Sequence, residues 1–346
     1  MTSPSPRPGR LPVLALTMGD PSGIGPEIAL EAAASEAVRA VARPIVVGDL
    51  GVLERAKAAR RGAAAAASLA PVAGVVDARF EPGRVEVLDL ANVGTRGFAW
   101  GELRAEYGRA AYDYLVEATR LALGGEVDAV VTAPIQKEAW HLAHVDAIGH
   151  TEALQALCGA ADSVTMFVVQ NLRTFFYTRH VPLAEAIDRL RAGGPERLAR
   201  FVETADRLLA GLHVSPRRLA LAALNPHAGE NGLIGREEAD ILAPAVAAAR
   251  ERGIDVAGPV PADSVYHQAL QGRWDAVVSL YHDQGHIATK TLEFERTVSV
   301  TLALPILRTS VDHGTAFDIA GRGTASAVSM EEACLVAARY AMARRR

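Results

Sequence analysis

Three of the ten histidines fall at the same kind of place in the chain. His282 lies in Leu280-Tyr281-His282-Asp283-Gln284-Gly285-His286, a loop after the run Trp274 to Leu280. That run reads as a buried strand because Val and Leu dominate it. Phe175-Phe176-Tyr177-Thr178-Arg179 leads into His180 in the same way, and Leu219 to Leu224 passes through Asn225-Pro226 into His227. In open α/β sheets, ligands sit beyond the carboxyl ends of the strands. Neutral imidazole is the commonest transition-metal ligand, and three protein ligands with an open position describe a catalytic site. Taken singly, each histidine reads better as structural; the recurrence favours a divalent metal on His180, His227 and His282, with zinc, cobalt, magnesium or manganese as candidates. Asp283 is the nearest candidate general base and could equally be a further ligand. Lys290 and Arg308 offer positive charge to a phosphate or carboxylate, although Lys290 also suits a solvated surface.

The elements that must position these residues alternate. Leu11 to Thr17 reads as a strand, followed by the Gly-rich turn Met18 to Glu27 and a helix from Ile28 to Val41. Pro26 fits a first helical turn and Glu27 its positive end. The turn offers bare N–H groups to a phosphate, yet its spacing is neither GxGxxG nor GxxxxGK[ST], so a tight turn explains it equally well. Strands at Pro44 to Gly48, Val85 to Leu88 and Val127 to Val131 alternate with helices at Leu50 to Arg61 and Glu102 to Gly124, which predicts a largely parallel sheet. Ala63 to Ala70 fits helix or loop. His150 and Thr151 open a helical stretch, where they could bind an anion or simply cap it. Val164 to Gln170 and Arg173 to Thr178 read as a hairpin, which makes the sheet mixed. Helices are expected at Leu183 to Leu190 and Glu196 to Leu212. A polar loop spans Asn225 to Glu238, a strand Val298 to Leu304 and a terminal helix Ala325 to Arg346.

Composition narrows the class. The net charge of −4 gives no field for nucleic acid or an anionic membrane, and no stretch approaches the ~20 apolar residues of a membrane span. Cys158 and Cys334 are too few for a disulfide framework, so the expected home is the cytoplasm. The Pro-rich start, residues 1–10, is expected to be disordered.

Two stretches, Gly19-Asp20 with Gly23-Ile24-Gly25-Pro26-Glu27, and His313-Gly314-Thr315-Ala316-Phe317-Asp318-Ile319-Ala320-Gly321, resemble the isocitrate and isopropylmalate dehydrogenase superfamily. Five motifs together resemble the 4-hydroxythreonine-4-phosphate dehydrogenase family over nearly the whole chain. They are Gly19 to Glu27, Gly149-His150-Thr151-Glu152, Asn225-Pro226-His227-Ala228-Gly229-Glu230, Tyr281 to Gly285, and Arg308-Thr309-Ser310-Val311-Asp312-His313-Gly314. The resemblance implies an isocitrate dehydrogenase-like α/β/α fold of two interleaved subdomains, roughly 11–135 plus 300–346, and 136–299, with the active site in the cleft between them. It also implies a homodimer that shares a metal site on His180, His227 and His282. Substrate contacts fall to His150, Thr151, Lys290, Ser299 and Arg308, and catalytic roles to Asp283 and Lys290. NAD would sit at His313, Gly314, Ala316 and Asp318, because a carboxylate such as Asp318 accepts from a ribose 2′-hydroxyl and repels a 2′-phosphate.

The implied reaction is metal-assisted hydride transfer from the 3-hydroxyl of 4-phosphohydroxy-L-threonine to NAD, with decarboxylation to a pyridoxal phosphate precursor. Ser299 departs from the Asn of that family, and His286-Ile287-Ala288-Thr289 is closer to paralogues. Those act on phosphorylated four-carbon sugar acids such as D-threonate or D-erythronate 4-phosphate, or on an aromatic dihydrodiol. A hydrolase with the same histidines would have no use for the His313 to Gly321 loop, and a non-catalytic binding protein little use for an open metal site.

Overall fold

A computed structural model describes residues 10–94 and 96–344. The tail expected to be disordered therefore lies outside the described residues except for Arg10. Among those residues, no helix is long and apolar enough to cross a membrane. The apolar runs do pair as strands, and the central ones are buried on both faces, as parallel sheets require. The chain divides into two compact units, Met1–Ser163 with Val298–Arg346, and Val164–Thr297.

The first unit contains β1 (Val13–Thr17), α1 (Gly25–Ala34), α2 (Glu36–Val41), β2 (Arg43–Gly48), α3 (Leu50–Ala59), α4 (Gly62–Ala66), β3 (Ser68–Val72) and β4 (Arg84–Asp89). It continues through α5 (Ala105–Leu123), β5 (Ala129–Thr132), α6 (Lys137–Leu142) and α7 (His150–Cys158). The second unit holds β6 (Val164–Val169), β7 (Leu172–Phe176), α8 (Leu183–Gly211), β8 (Leu219–Ala222), α9 (Ala243–Glu251), β9 (Val256–Val260), α10 (Ala262–Leu270), β10 (Ala276–Ser279) and α11 (His282–Leu292). The chain then returns to the first unit with β11 (Val298–Leu302), β12 (Arg308–Ser310) and α12 (Val328–Arg344).

Strand order in the first unit is β3-β4-β2-β1-β5-β12-β11. All its pairings are parallel except β11 with β12, where Ser299 lies opposite Ser310. In the second unit the order is β6-β7-β10-β8-β9, antiparallel only in the β6–β7 hairpin. That hairpin turns at Gln170-Asn171, with Gln170 at a positive φ of 53°. Val265, Tyr266 and Ala269 of α10 cover the sheet at Val169, Leu172, Ala220, Ala222 and Val277.

Several boundaries differ from the sequence reading. The helix expected over Ile28 to Val41 breaks at Ser35, whose extended backbone separates α1 from α2. The Ala63 to Ala70 stretch is shared between α4 and β3. The two helices expected at 183–190 and 196–212 form α8 with a kink at Gly194 (φ 63°, ψ −172°), next to Pro195. Arg308, beyond the last strand expected from the sequence, lies on β12, a strand too short for a hydrophobic pattern. His282 to His286 is no loop; α11 starts at His282, directly after the extended Tyr281. The chain crosses between units at Ser163/Val164 rather than near 135, because α6 packs on α5.

That packing is close. A Cβ on Gly108 of α5 would lie 2.1 Å from the Ala139 carbonyl oxygen of α6, so only glycine lets the two backbones meet. Substituting Gly108→Ala is expected to lower unfolding stability by about 2–3 kcal/mol through overpacking, read as a lower denaturation midpoint. An unchanged midpoint would show that the helices separate without penalty.

Candidate active site

In the second unit, the carboxyl ends of β7, β10 and β8 are tied by buried polar bonds. Ser279 Oγ donates to the Phe175 carbonyl at 2.7 Å, and Thr178 Oγ1 donates to the Leu280 carbonyl at 2.7 Å. Gln284 Oε1 accepts from Leu280 N at 2.7 Å, while its Nε2 donates to the Ala223 carbonyl at 2.7 Å. His180 and His282 are thereby brought together, with ring centroids 5.9 Å apart. Two imidazoles bound to one tetrahedral ion would stand roughly 5–6 Å apart, so this pair fits a shared metal. Both line a cavity of about 450 Å³ with Arg179, Val181, Pro182, Leu183, Tyr281 and Asp283.

The hydrogen-bond partners set the tautomers. Asp283 Oδ1 lies 2.6 Å from His282 Nδ1, so Nδ1–H donates to the carboxylate and the lone pair of the neutral ring lies on Nε2. His286 Nδ1 donates to the His282 carbonyl at 2.8 Å. Its ring stacks on His282 at 3.6 Å with 10° between planes, backed by Phe167 and Phe176 at 4.3 and 4.4 Å. Lys290 continues the stripe of His282 and His286 on α11, with Nζ 5.2 Å over the Phe294 ring. His227 is exposed and is not gathered with the pair. Among the described residues, no group of three or more His, Cys, Asp or Glu side chains could hold a metal.

The first unit holds the anion and cofactor candidates. Arg308 is buried at 5% exposure, and its guanidinium donates to hydroxyls only: to Thr132 Oγ1 at 3.0 and 2.6 Å and to Thr301 Oγ1 at 2.9 Å. Burial pushes it down to about 10, against the longer-range attraction of Asp312, so it stays charged at neutral pH. His150 opens α7 with its ring 5.7 Å from Trp140. Burial first, then the charges of Arg308 and Lys137, hold its imidazolium well below the usual range, so His150 is neutral. Lys137 thus belongs to this neighbourhood, and sequence reading had not singled it out. Thr151 follows on α7, and Ser299 is half-buried on β11.

The loop from His313 to Gly323 is knitted to the turn after β1. Ile24 N donates to the Thr315 carbonyl at 2.9 Å. Glu27, fully buried, accepts from Gly321 N at 3.1 Å and Gly323 N at 2.7 Å, so it serves that loop rather than the dipole of α1. Ala316 takes a positive φ of 41°, His313 Nδ1 lies 3.0 Å from the Gly314 carbonyl, and Asp318 is exposed. The amides of Asp20, Ser22, Gly23 and Ile24 all meet acceptors within the protein, so these four do not face a phosphate.

Comparisons with known proteins agree along the whole chain. A family model described as "Pyridoxal phosphate biosynthetic protein PdxA" matches residues 40–337. A protein of Symbiobacterium thermophilum named "Putative D-threonate 4-phosphate dehydrogenase" is 49% identical over 97% of this chain and 98% of its own length. A protein of Halalkalibacterium halodurans with the same name is 48% identical over 95% and 97%. The crystal structure of 4-hydroxythreonine-4-phosphate dehydrogenase from Klebsiella pneumoniae superposes with a TM-score of 0.86 at 41% identity, covering 95% of this chain and 99% of that one.

One group in the turn after β1 titrates unusually. Asp20 is buried at 1% exposure; Oδ1 accepts from Ser22 N, and Oδ2 has no hydrogen-bond partner among the described residues. Burial, opposed by the Ser22 bond, raises its carboxyl from 3.8 to about 6. The folded state therefore binds this proton more tightly than the unfolded chain, and ionised Asp20 costs stability above about pH 6 but not below about pH 4. Asp20→Asn is expected to gain on the parent as pH rises through that window, by at most roughly 3 kcal/mol. Denaturant unfolding at both ends of the window checks it; a pH-independent difference would contradict a raised carboxyl.

Proposed function

Since the chain belongs to the PdxA family and is an enzyme of the oxidoreductase kind, we propose that it oxidises the 3-hydroxyl of D-threonate 4-phosphate with NAD. The observation that carries the reaction class is the His180–His282 pair beyond the ends of adjacent strands, with Asp283 fixing the His282 tautomer. The substrate rests on the 48–49% identity to proteins carrying that name, against 41% to the 4-hydroxythreonine-4-phosphate enzyme. 4-Phosphohydroxy-L-threonine is the second reading, supported by the family and that structural neighbour.

In the first reading the C3–H leaves as hydride, the O–H proton passes to base, and C3 becomes a ketone β to the carboxylate. Carbon dioxide then leaves, because the ketone accepts the electron pair, and a phosphorylated three-carbon hydroxyketone remains. When bound, a divalent metal supplies positive charge for the oxygen being oxidised, and NAD accepts the hydride. His180 and His282 would supply two ligands to that metal from one chain, and His227 would complete the set in a site shared between two copies. Arg308 and the neutral His150 receive an anionic group of the substrate, with Thr151, Ser299 and Lys290 as further contacts. Asp318, on the loop held by Glu27, selects NAD over NADP by its charge.

Two measurements test this. NADH formation is followed with D-threonate 4-phosphate, D-erythronate 4-phosphate, 4-phosphohydroxy-L-threonine and an aromatic cis-dihydrodiol, each with and without chelator. The expected result is chelator-sensitive turnover with the highest kcat/KM on D-threonate 4-phosphate; a preference for 4-phosphohydroxy-L-threonine would install the second reading, and no turnover would sink both. Arg308→Met is expected to raise KM for the phosphorylated substrate roughly 10- to 100-fold, the range for a lost charged hydrogen bond. An unaltered KM would remove Arg308 from substrate binding.

A further inference from the structure

The turn after β8 is wound the wrong way for L-residues. His227, Ala228, Gly229, Glu230 and Asn231 have φ of 52°, 55°, 78°, 42° and 58°, so five successive residues are left-handed and four of them carry a Cβ. Such residues visit this region singly and rarely as a run, and a run persists only where surrounding structure over-determines it. Bonds within the turn, Ala228 N to the Asn225 carbonyl at 3.2 Å and Ile234 N to the Gly229 carbonyl at 3.1 Å, close it but do not choose its hand.

Glu238 faces the entry to the turn. Its carboxylate is buried at 5% exposure, at the first position of a π-helical turn, Glu238–Leu242. Oε1 accepts from Leu224 N at 2.8 Å and Asn225 N at 2.7 Å, and Oε2 accepts from Asn225 Nδ2 at 2.8 Å. The same Asn225 amide reaches Glu237 Oε2 at 2.8 Å, and Arg191 Nη2 holds the other oxygen of Glu237 at 2.6 Å. Two glycines give the latch its room. A Cβ on Gly229 would lie 2.8 Å from Glu238 Oε2, and one on Gly235 would lie 2.5 Å from Asn225 Nδ2.

We propose that Glu238 is the positioning residue for His227: by fixing both amides and the side chain where the chain leaves β8, it holds the left-handed turn and aims the imidazole. The inference deepens the proposed function and rests on His227 being a metal ligand. Both oxygens of Glu238 are engaged by Leu224 and Asn225, so its role is to position rather than to ligate. The charge of the carboxylate matters as well as its shape. Glutamine would turn an N–H toward the Asn225 amide, setting donor against donor.

Two readouts separate the hold on the turn from the ligand role. Hydrogen–deuterium exchange of 224–235 is compared in the full chain and in Glu238→Gln, with Asp240→Asn on the exposed side as control. Cobalt(II) titration of metal-free protein, followed by its visible absorbance, is run on the same proteins and on His227→Ala. The expected result is at least tenfold faster exchange confined to 224–235 in Glu238→Gln, and a cobalt affinity lowered at least tenfold, toward that of His227→Ala; Asp240→Asn leaves both unchanged. Unchanged exchange in Glu238→Gln overturns the inference. Faster exchange with His227→Ala weakened for cobalt but Glu238→Gln unaffected also overturns it. Faster exchange with neither variant altered in cobalt binding supports the hold on the turn and removes His227 from the metal site. Should Glu238→Gln fail to fold, Asn225→Ala, which removes the side-chain bonds to Glu237 and Glu238 and leaves both backbone amides on Glu238 Oε1, is expected to change both readouts in the same direction by a smaller factor, and unchanged readouts there overturn the inference.

Discussion

The close approach of α11 to the sheet governs the second unit. A Cβ on Gly285 would lie 2.5 Å from Phe176 Cε1, 2.7 Å from Ser279 Oγ and 2.8 Å from Thr174 Cγ2. Only glycine lets the helix settle directly on β7 and β10, and that contact places the first helical residue, His282, at the strand end. Ser279, Thr178 and Gln284 then take up the backbone groups that the ladder leaves open there, which burial makes obligatory. Gln284 bridges β10 to β8, so the strands that carry His282 and His227 share one side chain. The His180–His282 separation is a consequence of these bonds rather than of any direct bond between the rings.

The first unit solves the same problem with a carboxylate. Glu27 is buried in α1 and collects two glycine amides from a loop almost three hundred residues away. Trp100 packs where a side chain on Gly321 would sit, and the Ala59 carbonyl where one on Gly323 would sit, so both positions need glycine. The Gly-rich turn after β1 and the loop from His313 to Gly323 are thus one physical assembly. The Gly-rich turn spends the amides of Asp20, Ser22, Gly23 and Ile24 on the protein and becomes the support for the second loop.

Residues that obey a period were legible in the sequence. The central strands, the β6–β7 hairpin and the kinked pair in α8 are written in hydrophobic alternation and in Gly or Pro punctuation. His180 and His282 could be paired because each follows a strongly apolar run. The start of α11 was hidden because His-Asp-Gln-Gly-His is a poor helix sequence, and its helicity comes from tertiary contact at Gly285 and Gln284. Strand β12 was hidden by its length of three residues. Glu27, Glu238 and Lys137 were beyond reach for a common reason. Each acts on residues distant in sequence or across a turn of unusual hand, and no spacing rule records such a partner.

Arg308 places a charge in the interior of the first unit. A guanidinium this deeply buried ordinarily faces a carboxylate, because an isolated charge in the interior is strongly penalised. Here Thr132 and Thr301 accept three of its N–H bonds without neutralising it, and Asp312 favours its charge electrostatically. The neighbouring His150 is held neutral, so it adds hydrogen-bonding capacity without adding repulsion. Lys137 adds a second positive charge that acts on His150. A neutral ligand would leave this charge uncompensated, whereas a phosphate or carboxylate would offset it in a buried setting. The electrostatics of Arg308 therefore favour an anionic group over an uncharged one at this place, and they do so independently of any residue that tells a 2-hydroxyl from a 2-amino group.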